Sequence, residues 1–177
     1  MRAPNRFFSA ANRAGRLVEA WALQFNTIHD VAMFGMQSSE AIAAVDGQVI
    51  ICSDYSNLQA LPSTVFSAFV EVLKRANPRL MRAALVMPRK GTSLRHQMEA
   101  LMQKATHPNR RLCADPAEAK AWLSSLLTRE EELRLDQFLR ERSSIDAALI
   151  AELRKGGPQV TPPQVTSQPP SSRRRKM

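Results

Sequence analysis

Short apolar runs alternate with amphipathic segments through the central part of the chain. Gln48–Ser53 (QVIICS), Ala83–Met87 (AALVM) and Arg111–Ala114 (RLCA) are brief and aliphatic, which is typical of buried strands. After each run, apolar residues recur at helical spacing and predict a helix with one buried face. The residues on the three predicted faces are Val65, Phe66, Phe69, Val72 and Leu73, then Leu94, Met98, Leu101, Met102 and Ala105, then Ala119, Trp122, Leu123 and Leu126.

Local signals place the ends of these helices. Pro62 suits a helix start because its missing N–H costs nothing there. Asp115–Glu118 (DPAE) combines an N-cap acid, a first-turn proline and a glutamate three residues after the cap. Thr92 or Ser93 is expected to cap the middle helix. Asn77–Pro78 is expected to end the first one.

Three successive strand–helix steps determine the predicted fold class. Strands that alternate with helices form right-handed crossover units and a largely parallel sheet. Residues 17–36 are predicted to add two short strands at the front, joined by a turn at Asn26–Thr27, although a helix through 20–25 fits the same pattern. We therefore predict a single α/β domain with a mostly parallel sheet of four or five strands covered by helices.

The C-terminal third predicts two further helices and a tail. Thr128–Glu131 (TREE) is a capping box that opens one helix, and Ser144 is expected to cap another, which Gly156–Gly157 ends. Residues 157–172 hold five prolines and almost no large apolar side chains, so disorder is expected. The predicted organisation is a flexible basic arm at 1–16, an α/β domain with C-terminal helices at 17–155, and a disordered Pro/Ser-rich basic tail at 156–177.

The net charge of +9 belongs to the two ends of the chain. Residues 1–16 and the last stretch carry four basic residues each and no acid, which leaves 17 basic against 16 acidic residues in 17–172. A folded nucleic-acid-binding domain instead carries a basic face of its own. The basic tail residues, which are candidates for salt-dependent contacts with phosphates or an acidic protein, are Arg173, Arg174, Arg175 and Lys176.

Cysteine usage and hydropathy point to a reducing, aqueous compartment. Cys52 and Cys113 each lie within an apolar run, without metal-ligand spacing, and are expected to be buried free thiols. No apolar run reaches the roughly 20 residues of a membrane span, and no signal-peptide pattern is present. We therefore expect a cytoplasmic protein with no cofactor and no metal site.

The order of the predicted elements resembles the STAS-like group, meaning the sulfate-transporter and anti-sigma-factor-antagonist domains. The resemblance covers about residues 17–127. It rests on the strand VIICS, the polar turn DYSN, the helix after Leu61, the strand AALVM, and the short strand RLCA that leads into DPAEAKAWL. It implies a non-catalytic protein–protein interaction module in bacterial regulation, with another protein as partner. The implied partner surface is Asp54–Thr64 and the adjoining helix, and its candidate residues are Asp54, Ser56, Ser63 and Thr64.

One turn departs from the phosphorylatable members of that group. Those members present an Asp-Ser-Ser-Gly-type turn at a helix start, whereas this chain has LQALPST at 58–64, without the glycine. Ser63 and Thr64 are nonetheless hydroxyls in a predicted first turn, where the helix dipole and free N–H groups favour a phosphate. Plain solvated or capping hydroxyls fit the same two positions.

The sequence offers little support for catalysis, and we predict that the chain is not an enzyme. It contains no G-x-S-x-G elbow, no P-loop and no H-x-x-x-H or C-x-x-C pattern. The loop after the second strand, with Arg89, Lys90 and Ser93, is a candidate anion-binding loop because open parallel sheets bind ligands beyond the carboxyl ends of their strands. The acidic residues at 130–132 and Asp136 are expected to be unburied and to complement a helix dipole.

Two alternatives to the interaction module stay open. The runner-up is an accessory protein that binds nucleic acid through its basic N- and C-terminal arms. The third is an enzyme or small-ligand domain that uses the loop at 89–93. Homodimerisation is compatible with each of them.

Overall fold

Five strands and five helices follow one another over residues 7–87 and 93–155, the part of the chain that the computed structural model describes. The strands are β1 (Phe8–Ala14), β2 (Leu17–Ala22), β3 (Val49–Asp54), β4 (Leu80–Val86) and β5 (Arg110–Cys113). The helices are α1 (Ile28–Ala43), α2 (Ser63–Ala76), α3 (Ser93–Ala105), α4 (Pro116–Leu123) and α5 (Arg129–Lys155). Single turns of 3-10 helix follow α2 at Asn77–Arg79 and α4 at Ser124–Leu126.

The strands form one mostly parallel sheet in the order β1-β2-β3-β4-β5, in which only β1 is antiparallel to its neighbour. Each crossover moves one strand further in the same direction. Right-handed crossovers of this kind must all lie on the same face of the sheet, and α1, α2 and α3 do so. The predicted strands at 48–53, 83–87 and 111–114 are confirmed as β3, β4 and β5, and so is the predicted fold class.

An aromatic cluster fills the core between the first face of the sheet and helices α1 to α3. Its ring centroids lie 5.3 to 6.0 Å apart, mostly in tilted or edge-on pairs. Its members are Phe8, Phe25, Phe34, Tyr55 and Phe69, all of them buried. Because these residues come from β1, α1, α2 and two loops, the cluster ties the front of the chain to the central strands.

Helices α4 and α5 cover the second face of the sheet. Leu17, Ile50, Cys52, Ala84, Val86 and Cys113 face them from the strands, and Ala119, Leu123, Leu135, Phe138 and Leu139 complete this core. Two ion pairs accompany the apolar contacts. Arg134 of α5 pairs with the buried Glu19 of β2, with 2.6 Å between Nη2 and Oε2, and Arg16 pairs with Glu131 at 3.1 Å.

The front of the chain differs from the prediction at two places. Residues 8–14, expected to belong to a flexible arm at 1–16, form the edge strand β1, while residues 1–6 lie outside the described residues. The second predicted strand of 17–36 is wrong, because helix α1 begins at Ile28. Thr27 is not part of a turn between strands. Its hydroxyl accepts the N–H of Asp30 and the Asp30 carboxylate accepts the N–H of Thr27, a capping box that starts the helix.

The C-terminal part holds one helix where two were predicted. The expected capping box is confirmed, since Thr128 accepts the N–H of Glu131 and Glu131 accepts the N–H of Thr128. The helix then continues past Ser144 to Lys155, so the second cap is wrong. A serine at position 144 does not interrupt the helix, because serine is tolerated in a helix interior at small cost. The predicted tail at 156–177 lies outside the described residues.

Glu131 is also buried, against the expectation for the acidic cluster at 130–132. Its carboxylate accepts the backbone N–H of Arg16 at 2.7 Å as well as the guanidinium. Gly15, in the β1–β2 turn, has φ of +47°, and a Cβ there would lie 2.5 Å from Glu131 Oε1. Glycine is therefore required at this turn on both counts. Burial alone would raise the pKa of Glu131, but the hydrogen bonds from Arg16 and Thr128 outweigh burial and lower it.

Glu131→Gln should weaken the attachment of α5 to the β1–β2 turn. We expect the free energy of unfolding at pH 7 to fall by roughly 1–3 kcal/mol, the usual value of hydrogen bonds to a charged group. Because the folded pKa of Glu131 is lowered, this stabilisation is present above about pH 4.3, the ordinary pKa of glutamate, and is lost as pH falls through the folded pKa. Urea unfolding across the acid range measures this. Glu130→Gln, at an exposed neighbour, is the control, and equal losses in both variants would contradict the prediction.

Candidate functional site

The carboxyl ends of the four parallel strands form one edge of the sheet, where ligands and partners of open α/β folds usually bind. The described connections at this edge are residues 23–27, 55–62 and 114–115, while 88–92 lie outside the described residues. Ser93 is exposed as the first residue of α3. Arg89 and Lys90 of the predicted anion-binding loop lie outside the described residues, as do the basic tail residues 173–176.

The connection between β3 and α2, residues 55–62, is held firmly in place. The backbone N–H of Tyr55 donates to Val86 O and that of Gln59 to Leu23 O, both at 2.9 Å. Gln97 of α3 pairs with Leu61 through two hydrogen bonds of 2.9 Å, one to the N–H and one to the carbonyl. These contacts join three neighbouring elements at the sheet edge. The connection is therefore an ordered surface.

Asp54 closes β3 beneath this connection and is only 8% exposed. Its Oδ1 accepts the N–H of Ser56 at 3.0 Å, and its Oδ2 lies 3.9 Å from Nε of Arg142 in α5. The Arg142 guanidinium also lies 4.0 Å from the ring centroid of Trp21. Burial lowers the pKa of Arg142, and the Asp54 carboxylate opposes that shift. Asp54 thus stabilises the turn through its hydrogen bond to Ser56 and connects this turn to Arg142 of α5.

The other predicted partner residues lie nearer the surface. Ser56 is half-buried, and Ser63 and Thr64 are exposed at the start of α2. The N-cap of α2 is Pro62, whose side chain makes no capping bond, and the first turn contains no acid. Nothing in that turn offsets the partial positive charge of the helix N-terminus. An acceptor group supplied from outside or by modification would therefore be favoured there.

Helix α1 has an exposed apolar face that sequence reasoning missed. Ile28, Ala32 and Met36, which we call the α1 stripe, recur every fourth residue and point away from the core. Ile28 is 56% exposed and Met36 is 43% exposed. The exposed positions of α2 and α3 instead carry polar residues, such as Glu71 and Lys104. The stripe was missed because 28–36 was predicted to be a strand, in which Ile28, Ala32 and Met36 share a face with Phe34 and would be expected to be buried.

Side chains that could together bind a metal ion are not gathered in the described residues. No group of three or more His, Cys, Asp or Glu side chains lies close enough there to hold a metal ion. Cys52 and Cys113 are free and buried, as predicted. Burial raises the pKa of Cys52 well above its ordinary value and that of Cys113 to about 11, so neither is a ready thiolate. His96 is exposed on α3, as expected from its neighbours.

An open cleft of about 680 Å³ lies between α4 and α5. Lys120 spans it to Asp136, with 2.8 Å between Nζ and Oδ2. Leu139 and Arg140 form part of the α5 wall. The Lys120–Asp136 pair neutralises the two charges at the centre of this cleft.

Comparisons with family models, with curated proteins and with solved structures found no match to this chain. Among the residues that the structure describes, no helix has both the length and the apolar character needed to cross a membrane. The case for a function therefore depends on the geometry of the chain itself.

Gln97→Ala should loosen the β3–α2 connection without unfolding the domain. Loss of both hydrogen bonds to Leu61 exposes its backbone N–H to solvent, so we expect amide exchange at Leu61 to accelerate by about tenfold or more, corresponding to roughly 1.4 kcal/mol. Hydrogen exchange followed by NMR measures this. Gln103→Ala, at an exposed position of the same helix, should leave the rate unchanged. Unaltered exchange at Leu61 in Gln97→Ala would show that the pair does not hold the connection.

Proposed function

We propose that this chain is a non-catalytic protein–protein interaction module, of the kind that the STAS-like resemblance implies for bacterial regulation. The proposed contact surface combines the α1 stripe with the β3–α2 connection and the exposed start of α2. The observation that carries the proposal is the α1 stripe itself. It is a regular apolar face left open to water on an otherwise well-packed helix.

The chemistry of α1 supports a protein partner over a nucleic acid. Its only charged residues are Asp30 and Glu40, so the helix carries negative charge and no Lys or Arg. A nucleic-acid surface would need the opposite charge. An apolar stripe at i, i+4 and i+8 instead matches helix-to-groove recognition, in which a few aliphatic anchors provide most of the affinity.

The two parts of the proposed surface lie at the same edge of the sheet. Helices α1 and α2 both begin at the carboxyl ends of their preceding parallel strands. The hydrogen bond from Gln59 N–H to Leu23 O joins the two preceding loops directly. Ile28 therefore begins α1 on the side of the domain where Ser63 and Thr64 begin α2. A partner that contacts the stripe can reach these hydroxyls.

Phosphorylation at the start of α2 would be a natural way to regulate such a contact. A phosphate on Ser63 or Thr64 would gain from the helix N-terminus, which lacks a side-chain cap. It would also place about two negative charges beside an apolar contact, which opposes burial by a partner. The absence of the glycine at 58–64 leaves this regulation as a proposal separate from the contact surface.

The alternative function, binding of nucleic acid through the basic ends, is distinguished by where the charge lies. The domain itself is nearly neutral, whereas the last stretch carries four consecutive cations. Under the alternative, deletion of residues 157–177 abolishes binding, and binding beforehand is strongly salt-dependent. Under the interaction-module proposal, partner binding survives the deletion.

The double variant Ile28→Lys, Met36→Lys should abolish binding of the partner. Full burial of an aliphatic side chain is worth about 1.5–3 kcal/mol, so two lost anchors should lower recovery of a true partner more than tenfold. Quantitative affinity enrichment from an extract of the source cells, with cross-linking to map contacts, measures this. The matched control is Leu133→Lys on α5, where the replaced leucine is 53% exposed.

The supporting result is a protein that wild type and Leu133→Lys recover equally, that the double variant loses, and that cross-links to α1. Equal recovery in all three variants would contradict the proposed surface. Loss on deletion of 157–177 alone would favour the nucleic-acid alternative.

A further inference from the structure

A small, partly enclosed cavity of about 40 Å³ lies between the first face of the sheet and helices α1 and α2. Its wall is mostly aliphatic and aromatic, with side chains from β2, β3, β4 and both helices. Four polar side chains also reach it, namely Ser38, Ser53, Tyr55 and Arg110. An apolar chamber with a few convergent polar groups has the composition of a small-molecule site.

Arg110 is the unusual member of this wall. It is only 8% exposed, and its Nη2 donates to Leu73 O at 2.6 Å and to Asn77 Oδ1 at 2.7 Å. Its Nε is buried and has no hydrogen-bond partner among the described residues. No carboxylate of the described residues forms an ion pair with it either. A buried cation without an anion is costly, and a buried N–H without an acceptor adds to that cost.

The described groups around Arg110 do not compensate the buried charge of its guanidinium. Burial lowers the pKa of Arg110 to about 10, and the nearby Tyr55 only partly opposes the shift. Burial likewise raises the pKa of Tyr55 to about 12, against a hydrogen bond with Ser53, so the phenol is neutral at physiological pH. The Leu73 and Asn77 bonds cap the end of α2 and use one nitrogen of the guanidinium. The Nε edge has no such structural role.

A surface groove between α1 and α2 lies directly above the cavity. It has a volume of about 220 Å³ and shares four wall residues with the cavity, which are Ser38, Ile42, Val72 and Ala76. These side chains therefore lie between the cavity and the groove. Gly35 brings the two helices close together, since a Cβ there would lie 2.8 Å from Val72 Cγ2. Rotation of a few aliphatic side chains would open a path.

We infer that this cavity and the groove above it bind a small aliphatic monocarboxylate, whose carboxylate accepts from Arg110 Nε and whose alkyl chain lies against Ile42, Val72 and Ala76. The carboxylate supplies the anion that Arg110 lacks, and the Tyr55 hydroxyl can donate to it, since the Ser53 hydroxyl already donates to Tyr55. The apolar wall suits a short alkyl chain and disfavours a phosphate, which needs more donors than these residues offer.

The size of the cavity limits the ligand. A cavity needs about 10–15 Å³ to hold one water molecule, so 40 Å³ has room for about three heavy atoms, the size of a carboxylate group. The rest of the chain extends through the shared wall into the groove. Acids of about three to five carbons would place the carboxylate in the cavity and the alkyl chain in the groove. This site is independent of the proposed protein-interaction surface, because it lies beneath α1 and does not use the α1 stripe.

Titration of the full chain with butyrate, followed by NMR of backbone amides, tests the inference. We expect saturable shifts at Ser53, Tyr55 and Arg110 with a Kd on the order of 0.1–1 mM. Butyramide, which has nearly the same shape without the charge, should cause no saturable shift at those residues. The two ligands together separate carboxylate recognition from simple filling of an apolar space.

Two substitutions locate the site. Ser38→Leu fills the passage without touching Arg110 and should weaken butyrate binding more than about tenfold. Ser67→Leu, at an exposed position of α2 outside both cavity and groove, is the matched control and should bind like wild type. Arg110→Met should also lose binding, and if that variant fails to fold because α2 loses its cap, Ser38→Leu still decides the question.

The inference is overturned by any of four results. The first is the absence of saturable shifts with butyrate in wild type. The second is equal binding of butyramide. The third is binding that survives in Ser38→Leu. The fourth is shifts confined to the exposed Arg75 on the groove rim. None of these outcomes bears on the α1 stripe, so failure here leaves the proposed protein contact intact.

Discussion

Pairing of buried charges between the sheet and α5 is the constraint on which the rest of the structure depends. A parallel sheet must be covered on both faces, and sequential right-handed crossovers put α1, α2 and α3 all on one of them. The second face carries Glu19 as well as apolar side chains, and the carboxylate is buried. Left without Arg134, that carboxylate would cost several kcal/mol. Hydrogen bonding to Glu19 in turn raises the pKa of Arg134, so the guanidinium stays charged.

This attachment of α5 also reaches the candidate interaction edge. Arg142, two turns beyond Arg134, lies between Trp21 and Asp54, and Asp54 holds the turn that leads to α2. With the second face covered in this way, α1 is left as the outer helix at the β1 side of the sheet. Its inner residues complete the aromatic core, and its outer stripe stays exposed. The proposed contact surface is thus a consequence of the one-sided crossovers.

The sequence predicted the fold class because its central signals are local. Apolar runs such as Gln48–Ser53 and start signals such as Asp115–Glu118 need no tertiary information, and the Asp115 side chain does accept the N–H of Glu118. The front half was harder. Periodicity does not distinguish a strand from a helix in a nearly continuous apolar segment, and the deciding signal, the Thr27–Asp30 capping box, was interpreted as a turn. β1 was missed because FSAANRA has little β-branched character and pairs only at an edge.

The candidate functional features could not be predicted from the sequence for a different reason. The exposure of Met36, the burial of Glu131 and the unmatched Nε of Arg110 all depend on which elements pack together. Ser63 and Thr64 could be placed at a helix start because the signals for helix starts are local. A double-mutant cycle of Glu19→Gln and Arg134→Met, followed by urea unfolding, tests the central claim most directly. The account predicts a coupling free energy of about 2 kcal/mol or more between the two substitutions. Additive losses would contradict it.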